Sequence, residues 1–226
     1  MLFPFCREMA DDDVILKDQE VEISRREFKS IQDGMCCGDL ILYYKFRCLE
    51  RKYSELYKNH YFYTFMPTAI QFIQAFPLEM VKDSFSHFKP DQYKFVFFPL
   101  MDFDVRTQSA THWSFLYIDN RDGQMKLKHF DSNGQGNYDT AVRFVSIISQ
   151  VFDIPNKEIE PLCCASQNNC YDCGVYVMAY ADELLSAKGD HEAANSKLTP
   201  SYCYQYRKEF REFIWERGQE MAASSK

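Results

Sequence analysis

The sequence predicts an α+β domain, because helical patterns occupy its first and last thirds while strand-like apolar runs occupy its middle. No internal repeat and no low-complexity linker divides the chain, so a single domain is the simplest interpretation. We expect a loosely ordered, acidic N-terminal segment over residues 1–20, a single globular domain over 21–220, and a polar tail over 221–226.

Two helices are predicted in the first third of the chain. Apolar residues recur at roughly helical spacing between Gly38 and Leu56. A second helix is expected to begin at Pro67, because proline suits the first turn of a helix and the following Ile70 and Ile73 lie along one stripe.

The middle of the chain carries three strand-like runs. The segment YKFVFFPLM is short, apolar and aromatic, which is typical of a buried strand. The segments HWSFLYID and QMKLKHFD flank the turn-forming residues 120–123, and this pattern predicts a β-hairpin.

The last third is predicted to contain three helices, over residues 141–152, 173–185 and 199–216. Segment 186–197 is polar and without periodicity, so we expect a loop there. Thr199 and Pro200 provide the cap and first-turn signals of the last helix, and Gly218 is expected to end it.

Composition excludes several classes of function. The chain has 33 Asp and Glu against 26 Lys and Arg, which argues against nucleic acid or an anionic membrane as the main partner. No stretch approaches the ~20 apolar residues of a membrane helix, and residues 1–13 make a poor signal peptide. The nine cysteines, an odd number, indicate reduced thiols and a cytoplasmic or nuclear location.

The predicted hairpin brings a histidine and an aspartate together. If the hairpin is symmetric about Arg121 and Asp122, His112 and Asp131 lie directly opposite each other, with Cβ atoms ~5 Å apart. The carboxylate could then accept a hydrogen bond from the imidazole and orient it as a catalytic base. Taken alone, however, His112 is also compatible with a structural strand-end residue, and Asp131 with a turn residue.

Cys173 opens an apolar helix, whose N-terminal partial charge stabilises a thiolate. Gly174 is expected to leave the neighbouring backbone uncrowded, so that a substrate carbonyl can approach. The N–H of Cys173 and the side-chain amide of Gln167 could then donate to an oxyanion. Separately, each residue has a plainer interpretation: a buried thiol, a loop glutamine and, for Trp113, a core aromatic.

The segments THWSFLYID, HFDSN and QNNCYDCGVYV together resemble the ubiquitin-like-protein-specific (Ulp/sentrin) cysteine protease family. That family has an HW strand, a DS strand end, and a glutamine six residues before the cysteine of a DCG motif. The resemblance implies His112, Asp131, Gln167 and Cys173 as catalytic residues and requires no metal or cofactor. It also implies a papain-like fold, with the nucleophile at the start of a central helix packed on a mixed or antiparallel sheet.

Within this family, HYFYTFMPTAIQFIQ, QNNCYDCG and LTPSYCYQYRKEF are most similar to the deneddylase branch, which acts on the modifier Nedd. This implies cleavage after a C-terminal Gly-Gly, in maturation and in release from lysines, with Trp113 covering a narrow tunnel for the glycines. A SUMO-specific protease is the alternative. The branch's WLND motif is replaced here by GMCCGDL, so the resemblance assigns no residue to the far wall of the tunnel.

Three rival interpretations use the same residues. Cys170 and Cys173 form a CxxC motif, as in thiol–disulfide exchangers, but the supporting βαβ pattern is missing; a reversible Cys170–Cys173 disulfide is a milder hypothesis. A zinc site would need better-spaced thiols than Cys163, Cys164, Cys170 and Cys173. A non-catalytic binder of a modifier would keep the fold without the chemistry. We expect a monomer whose partners are the modifier and its conjugates.

Overall fold

The computed structural model describes residues 10–19, 21–104, 107 and 109–224. The described residues contain seven strands: β1 (Val14–Asp18), β2 (Val21–Ser24), β3 (Phe62–Thr64), β4 (Phe95–Met101), β5 (Trp113–Asp119), β6 (Lys126–Phe130) and β7 (Ile159–Pro161). The same part of the chain contains nine α-helices: α1 (Arg25–Ser30), α2 (Asp39–Lys52), α3 (Ser54–Lys58), α4 (Pro67–Ala75), α5 (Leu78–Ser84), α6 (Tyr138–Val151), α7 (Cys173–Ser186), α8 (His191–Lys197) and α9 (Pro200–Ser224). Of the terminal segments expected from the sequence, residues 1–9, 20, 225 and 226 lie outside the described residues.

A mixed five-stranded sheet forms the centre of the fold, in the order β3-β4-β5-β6-β7. The β4–β5 and β5–β6 pairs are antiparallel, while β3 and β7 add in parallel at the two edges. The predicted hairpin is the β5–β6 pair. The sheet and its surrounding helices confirm the α+β class.

Helices cover both faces of this sheet, because alternate strand residues point to opposite sides. In β4, Phe95 and Phe97 belong to one apolar cluster, which includes residues of α2, α7 and α9. The intervening Val96, Phe98 and Leu100 belong to a second cluster, built with α4, α5 and α6. The near-continuous apolar run that predicted β4 reflects this burial on both faces.

Helix α7 is the central helix. It begins at Cys173, as predicted, and nearly all its side chains are buried, including Val177 and Tyr180. It contacts β5 on one side and α2, α8 and α9 on others. The expected packing of a cysteine-led helix on a mixed sheet is thus confirmed.

The N-terminal segment differs from the expectation of loose order. Strand β1 pairs antiparallel with β2 and packs against α9. Gly218 explains this contact, since a Cβ at that position would lie 2.1 Å from the Ile15 carbonyl oxygen. The prediction that Gly218 ends the last helix was therefore wrong, because this glycine lies inside α9 and allows β1 to approach. The helix also includes residues 221–224, which were expected to belong to a polar tail.

Two further predictions needed correction. Segment 186–197, expected to be a loop, contains α8, whose first turn is capped by the Asp190 side chain accepting from the Ala193 N–H. The first third is not purely helical, because β1, β2 and β3 precede or interrupt its helices. Among the described residues, no helix combines the length and apolarity needed to cross a membrane.

Candidate active site

The β5–β6 hairpin positions His112 and Asp131, but its register differs from the predicted one. Phe115 pairs with Phe130, so Asp131 lies beside Ser114 instead of directly opposite His112. The shift is two residues, which keeps both side chains on the same face of the sheet because the strand repeat is also two. His112 Nε2 and Asp131 Oδ1 are 2.7 Å apart across this diagonal.

Asp131 is a buried carboxylate that the following turn holds in place. Its Oδ1 accepts from the Asn133 N–H and its Oδ2 from the Asn137 N–H, both at 2.9 Å. Burial by itself would raise the pKa of Asp131, but the hydrogen bonds from His112 and the two backbone amides outweigh burial and lower the pKa. Asp131 is therefore ionised at neutral pH.

His112 interacts with both Asp131 and Cys173. Burial alone would lower the pKa of His112, but hydrogen bonds with the carboxylate and with the thiol outweigh burial and raise the pKa to about 10. Because Asp131 occupies Nε2, Nδ1 is the ring nitrogen that remains available for the hydrogen bond with Cys173. The imidazole is thus protonated at neutral pH, between an ionised carboxylate and the Cys173 sulfur.

Cys173 is the first residue of α7, and its thiol opens onto a cleft. Only 1% of the residue is exposed, but it lines a cleft of about 500 Å³ together with His112 and Trp113. The remaining lining residues are 36–39, Gln71, Met101, Phe103, Ala110 and Thr111. A peptide tail entering this cleft would reach the sulfur and the imidazole together.

Trp113 forms one side of the cleft and is held there. Its indole Nε1 donates to the Cys37 carbonyl at 3.0 Å, and the side chain is buried. A Cβ on Gly174 would lie 2.8 Å from the Cys37 Cβ and 3.3 Å from Trp113 Cδ1. The expectation that Gly174 leaves space for substrate is therefore corrected: this glycine makes room for Cys37, Leu42 and Trp113.

Gln167 connects the Asp131 turn to the loop before the nucleophile. Its Oε1 accepts from Ser132 Oγ at 2.7 Å, and its Nε2 donates to the Asn169 carbonyl at 2.6 Å. The second N–H of Nε2 has no hydrogen bond to another described residue. Gln167 is not among the residues that line the cleft.

Comparison with known proteins agrees with this geometry. The family model for the C-terminal catalytic domain of the Ulp1 protease family matches residues 90–220. This match spans more than half of the chain and includes His112, Asp131, Gln167 and Cys173. The chain belongs to the Ulp1 protease family. This Ulp1-family chain is accordingly a cysteine protease.

Solved structures share the fold of this Ulp1-family protease. The Ulp1 protease domain in complex with Smt3, the yeast ortholog of SUMO, has 16% identity and a TM-score of 0.67, covering 93% of this chain and 90% of that one. A de-sumoylating protease has 17% identity and a TM-score of 0.69, with 90% and 89% coverage. Xanthomonas campestris XopD bound to ubiquitin has 16% identity and a TM-score of 0.63, with 88% and 96% coverage. No curated protein sequence gives a significant match.

Two other thiols of the Ulp1-family protease, those of Cys36 and Cys37, line the same cleft as the nucleophile. The eight described cysteines are free thiols. Cys170 is exposed, and the Cys36 thiol contacts its carbonyl oxygen at 3.8 Å. Within the described part of the chain, no group of three or more His, Cys, Asp or Glu residues is arranged to hold a metal ion.

Sequence reasoning missed residues that support the site from a distance. Asp102 accepts from the backbone N–H groups of Thr111 and His112, at 2.6 and 2.8 Å, and so orients the chain that carries the imidazole. Asn137 donates from Nδ2 to Ser114 Oγ at 2.9 Å. No local sequence signal marks these residues, because each one hydrogen-bonds a partner in a different strand or turn.

Proposed function

We propose that this Ulp1-family protease cleaves after the C-terminal Gly-Gly of the ubiquitin-like modifier Nedd, both in precursors and in conjugates to lysine. The single observation that carries the proposal is the contact of His112 with both Asp131 and Cys173 at the end of an open cleft. A thiol, a histidine and a carboxylate in this order are the groups needed for acyl transfer through a thioester.

In the proposed mechanism, the Cys173 sulfur attacks the carbonyl carbon of the terminal glycine. The backbone N–H of Cys173 and the Gln167 amide donate to the oxyanion. The His112 imidazolium gives its proton to the departing amine as the C–N bond breaks, which leaves a thioester. His112 then removes a proton from water, the water attacks the thioester, and the Cys173 thiolate leaves. Asp131 keeps the imidazole oriented throughout.

Two observations support a glycine-ended tail with a basic residue before the glycines. The flat indole of Trp113 lines the cleft beside Cys173, and a main chain without Cβ atoms fits most closely against it. Asp39 places a carboxylate in the same cleft, and the chain as a whole carries a formal charge of −7. The arginine that precedes the glycines of Nedd complements this charge.

A SUMO modifier is the second candidate substrate. The observation that favours it is the similarity to a Ulp1 domain solved with a SUMO ortholog and to a de-sumoylating protease. Identity of 16–17% supports the shared fold and leaves the choice of modifier to experiment.

The test uses Nedd, SUMO and ubiquitin that each carry a C-terminal electrophile, with the modified residue mapped by mass spectrometry. We expect Nedd to label Cys173 in the parent protein and in Cys170→Ala, a control that removes the neighbouring thiol, and no labelling in Cys173→Ala. Labelling by SUMO alone would overturn the Nedd assignment and keep the mechanism. Binding of Nedd without adduct would identify a non-catalytic binder, and an adduct at Cys170 would contradict the assigned nucleophile.

We also propose that the protein works as a monomer in the cytoplasm or nucleus. The free thiols beside the nucleophile support a reducing compartment, since the exposed Cys36 and Cys170 would be open to oxidation elsewhere. Fractionation of cells with an antibody to the protein, and light scattering of the purified chain, would test the two statements separately.

A further inference from the structure

Arg207 is a buried arginine on α9 whose side chain hydrogen-bonds residues next to the active site. The residue is 2% exposed. Its guanidinium makes five hydrogen bonds, which equals its five N–H groups. Nε and Nη2 each donate a hydrogen bond to Asp172 Oδ1, at 2.9 and 2.7 Å. Nη2 also donates to the Tyr171 carbonyl at 2.9 Å. Nη1 donates to the carbonyls of Gln32 and Met35, both at 2.8 Å.

These five bonds join the two segments that form the reactive end of the cleft. Tyr171 and Asp172 immediately precede the nucleophile Cys173. Met35 immediately precedes residues 36–39, which line the cleft, and Gln32 lies three positions before Met35. One planar side chain therefore sets the distance between the nucleophile and the segment that lines the cleft beside it.

A second set of contacts closes this connection on the cleft side. The indole of Trp113 donates to the Cys37 carbonyl, and Cys37 packs against the backbone of Gly174. Trp113 is thus connected to Arg207 through Cys37 and the segment that precedes it. Arg207 is in turn connected to the start of α7 through Asp172. A shift of Arg207 would move Cys173 relative to Trp113.

The Asp172 carboxylate extends the connection to Gln167. Asp172 Oδ2 accepts from Asn169 Nδ2 at 2.7 Å, and the Asn169 carbonyl accepts from Gln167 Nε2 at 2.6 Å. The oxyanion donor proposed above is therefore held by the same network as the nucleophile.

We propose that Arg207 is a positioning residue for the reaction, which places the Cys173 sulfur against His112 and against the cleft segment 36–39. This role rests on the proposed function for the identity of the substrate. Its main test, alkylation of Cys173, needs no substrate. Lysine cannot replace arginine here, because one ammonium group offers three donors without the planar fork that reaches both segments.

The experiment compares Arg207→Lys with the parent protein and with Lys208→Met, a control that removes an exposed charge from the next position of α9. The first readout is the pH profile of Cys173 alkylation by iodoacetamide, which needs no modifier. We expect Arg207→Lys to be folded, with a cooperative thermal unfolding transition. It should need a pH about one unit higher than the parent protein for the same alkylation rate, because Cys173 no longer lies against the imidazolium. Lys208→Met should follow the parent profile.

The second readout is turnover of a Nedd–lysine isopeptide. We expect kcat/KM of Arg207→Lys to fall about 10²-fold, with a loss in kcat as well as a rise in KM, since about 1 Å of misplacement has such an effect. Absence of turnover in the parent protein would reject the proposed function, while the alkylation profile would still decide on Arg207. An unchanged profile in folded Arg207→Lys would overturn the positioning role.

A double variant separates positioning from charge balance. Arg207→Met alone leaves the buried Asp172 carboxylate without its cation, and this chain is at risk of unfolding. Arg207→Met with Asp172→Asn removes both charges. We expect the double variant to recover folding but not the parent alkylation profile, whereas recovery of both would show that Arg207 only neutralises Asp172.

Discussion

At the scale of single residues, the site depends on one imidazole that is shared between a carboxylate and a thiol. Three hydrogen bonds keep Asp131 ionised, and this charge in turn keeps His112 protonated at neutral pH. An imidazolium is the form that can protonate a departing amine. The proton needed for catalysis is therefore in place before substrate arrives.

Asp131→Asn should move the alkaline limit of activity. Without the carboxylate, the His112 pKa falls from about 10 toward its ordinary value of 6.5, so kcat/KM should decline at lower pH than in the parent protein. Turnover at neutral pH should fall by up to about 10⁴-fold, which is less than the loss in Cys173→Ala.

Asp102→Asn is the matched control for this pH profile, measured on a Nedd–lysine isopeptide. Asp102 hydrogen-bonds the backbone N–H of His112 and not its ring, so the alkaline limit should stay in place. An alkaline limit that Asp131→Asn leaves unchanged would contradict the role given to Asp131.

At the scale of secondary-structure elements, packing between distant segments decides which positions must be glycine. Gly174 admits Cys37 beside the nucleophile, and Gly218 admits the backbone of β1 against α9. Both glycines lie in helices, where glycine is normally unfavourable by about 1 kcal/mol relative to alanine. The close contacts explain why the helices keep them.

Gly218→Ala should destabilise the protein although alanine favours helix. The new Cβ would overlap the Ile15 carbonyl oxygen, so β1 and α9 must separate, at a cost of about 1–3 kcal/mol. Urea unfolding measures the change. The control Gln219→Ala, at the next and exposed position, should have a small or stabilising effect. A gain in stability for Gly218→Ala would mean that β1 does not pack on α9 in solution.

At the scale of the whole molecule, the sheet separates two apolar cores, and a polar cluster lies buried beside the site. His129 is 2% exposed and its Nε2 lies 3.0 Å from Ser114 Oγ, which also accepts from Asn137. Burial lowers the pKa of His129 to about 4. The folded protein therefore holds this histidine neutral, next to the turn that carries Asp131.

This buried histidine predicts a loss of stability in acid. Between pH 6.5 and 4 the unfolded chain binds a proton at His129 that the folded protein does not, so the free energy of unfolding falls as the pH falls, by about 3 kcal/mol in total. His129→Gln should remove this contribution.

The measurement is urea unfolding at several pH values from 7 to 4. Exposed His87 provides the control, since His87→Gln should retain the slope of the parent protein. Equal slopes for His129→Gln and the parent protein would show that His129 is accessible to protons in the folded state.

The sequence by itself determined the features that depend on neighbours along the chain. Strand and helix periodicity predicted the β5–β6 hairpin, β4 and α7, and the order of His112, Asp131, Gln167 and Cys173 identified the protease family. These features follow from local backbone preferences and from spacing within a motif.

Only the tertiary structure decided the features that join segments far apart in the chain. The hairpin register, the packing of Ile15 on Gly218, and the cleft segment 36–39 beside Trp113 all depend on such contacts. Arg207 shows why: it falls on the buried stripe of α9 with Cys203 and Phe210, where a charge needs a partner, but its carbonyl partner Gln32 lies 175 positions away. Periodicity can place a residue on a buried face, whereas the identity of its partners is set by how the elements pack.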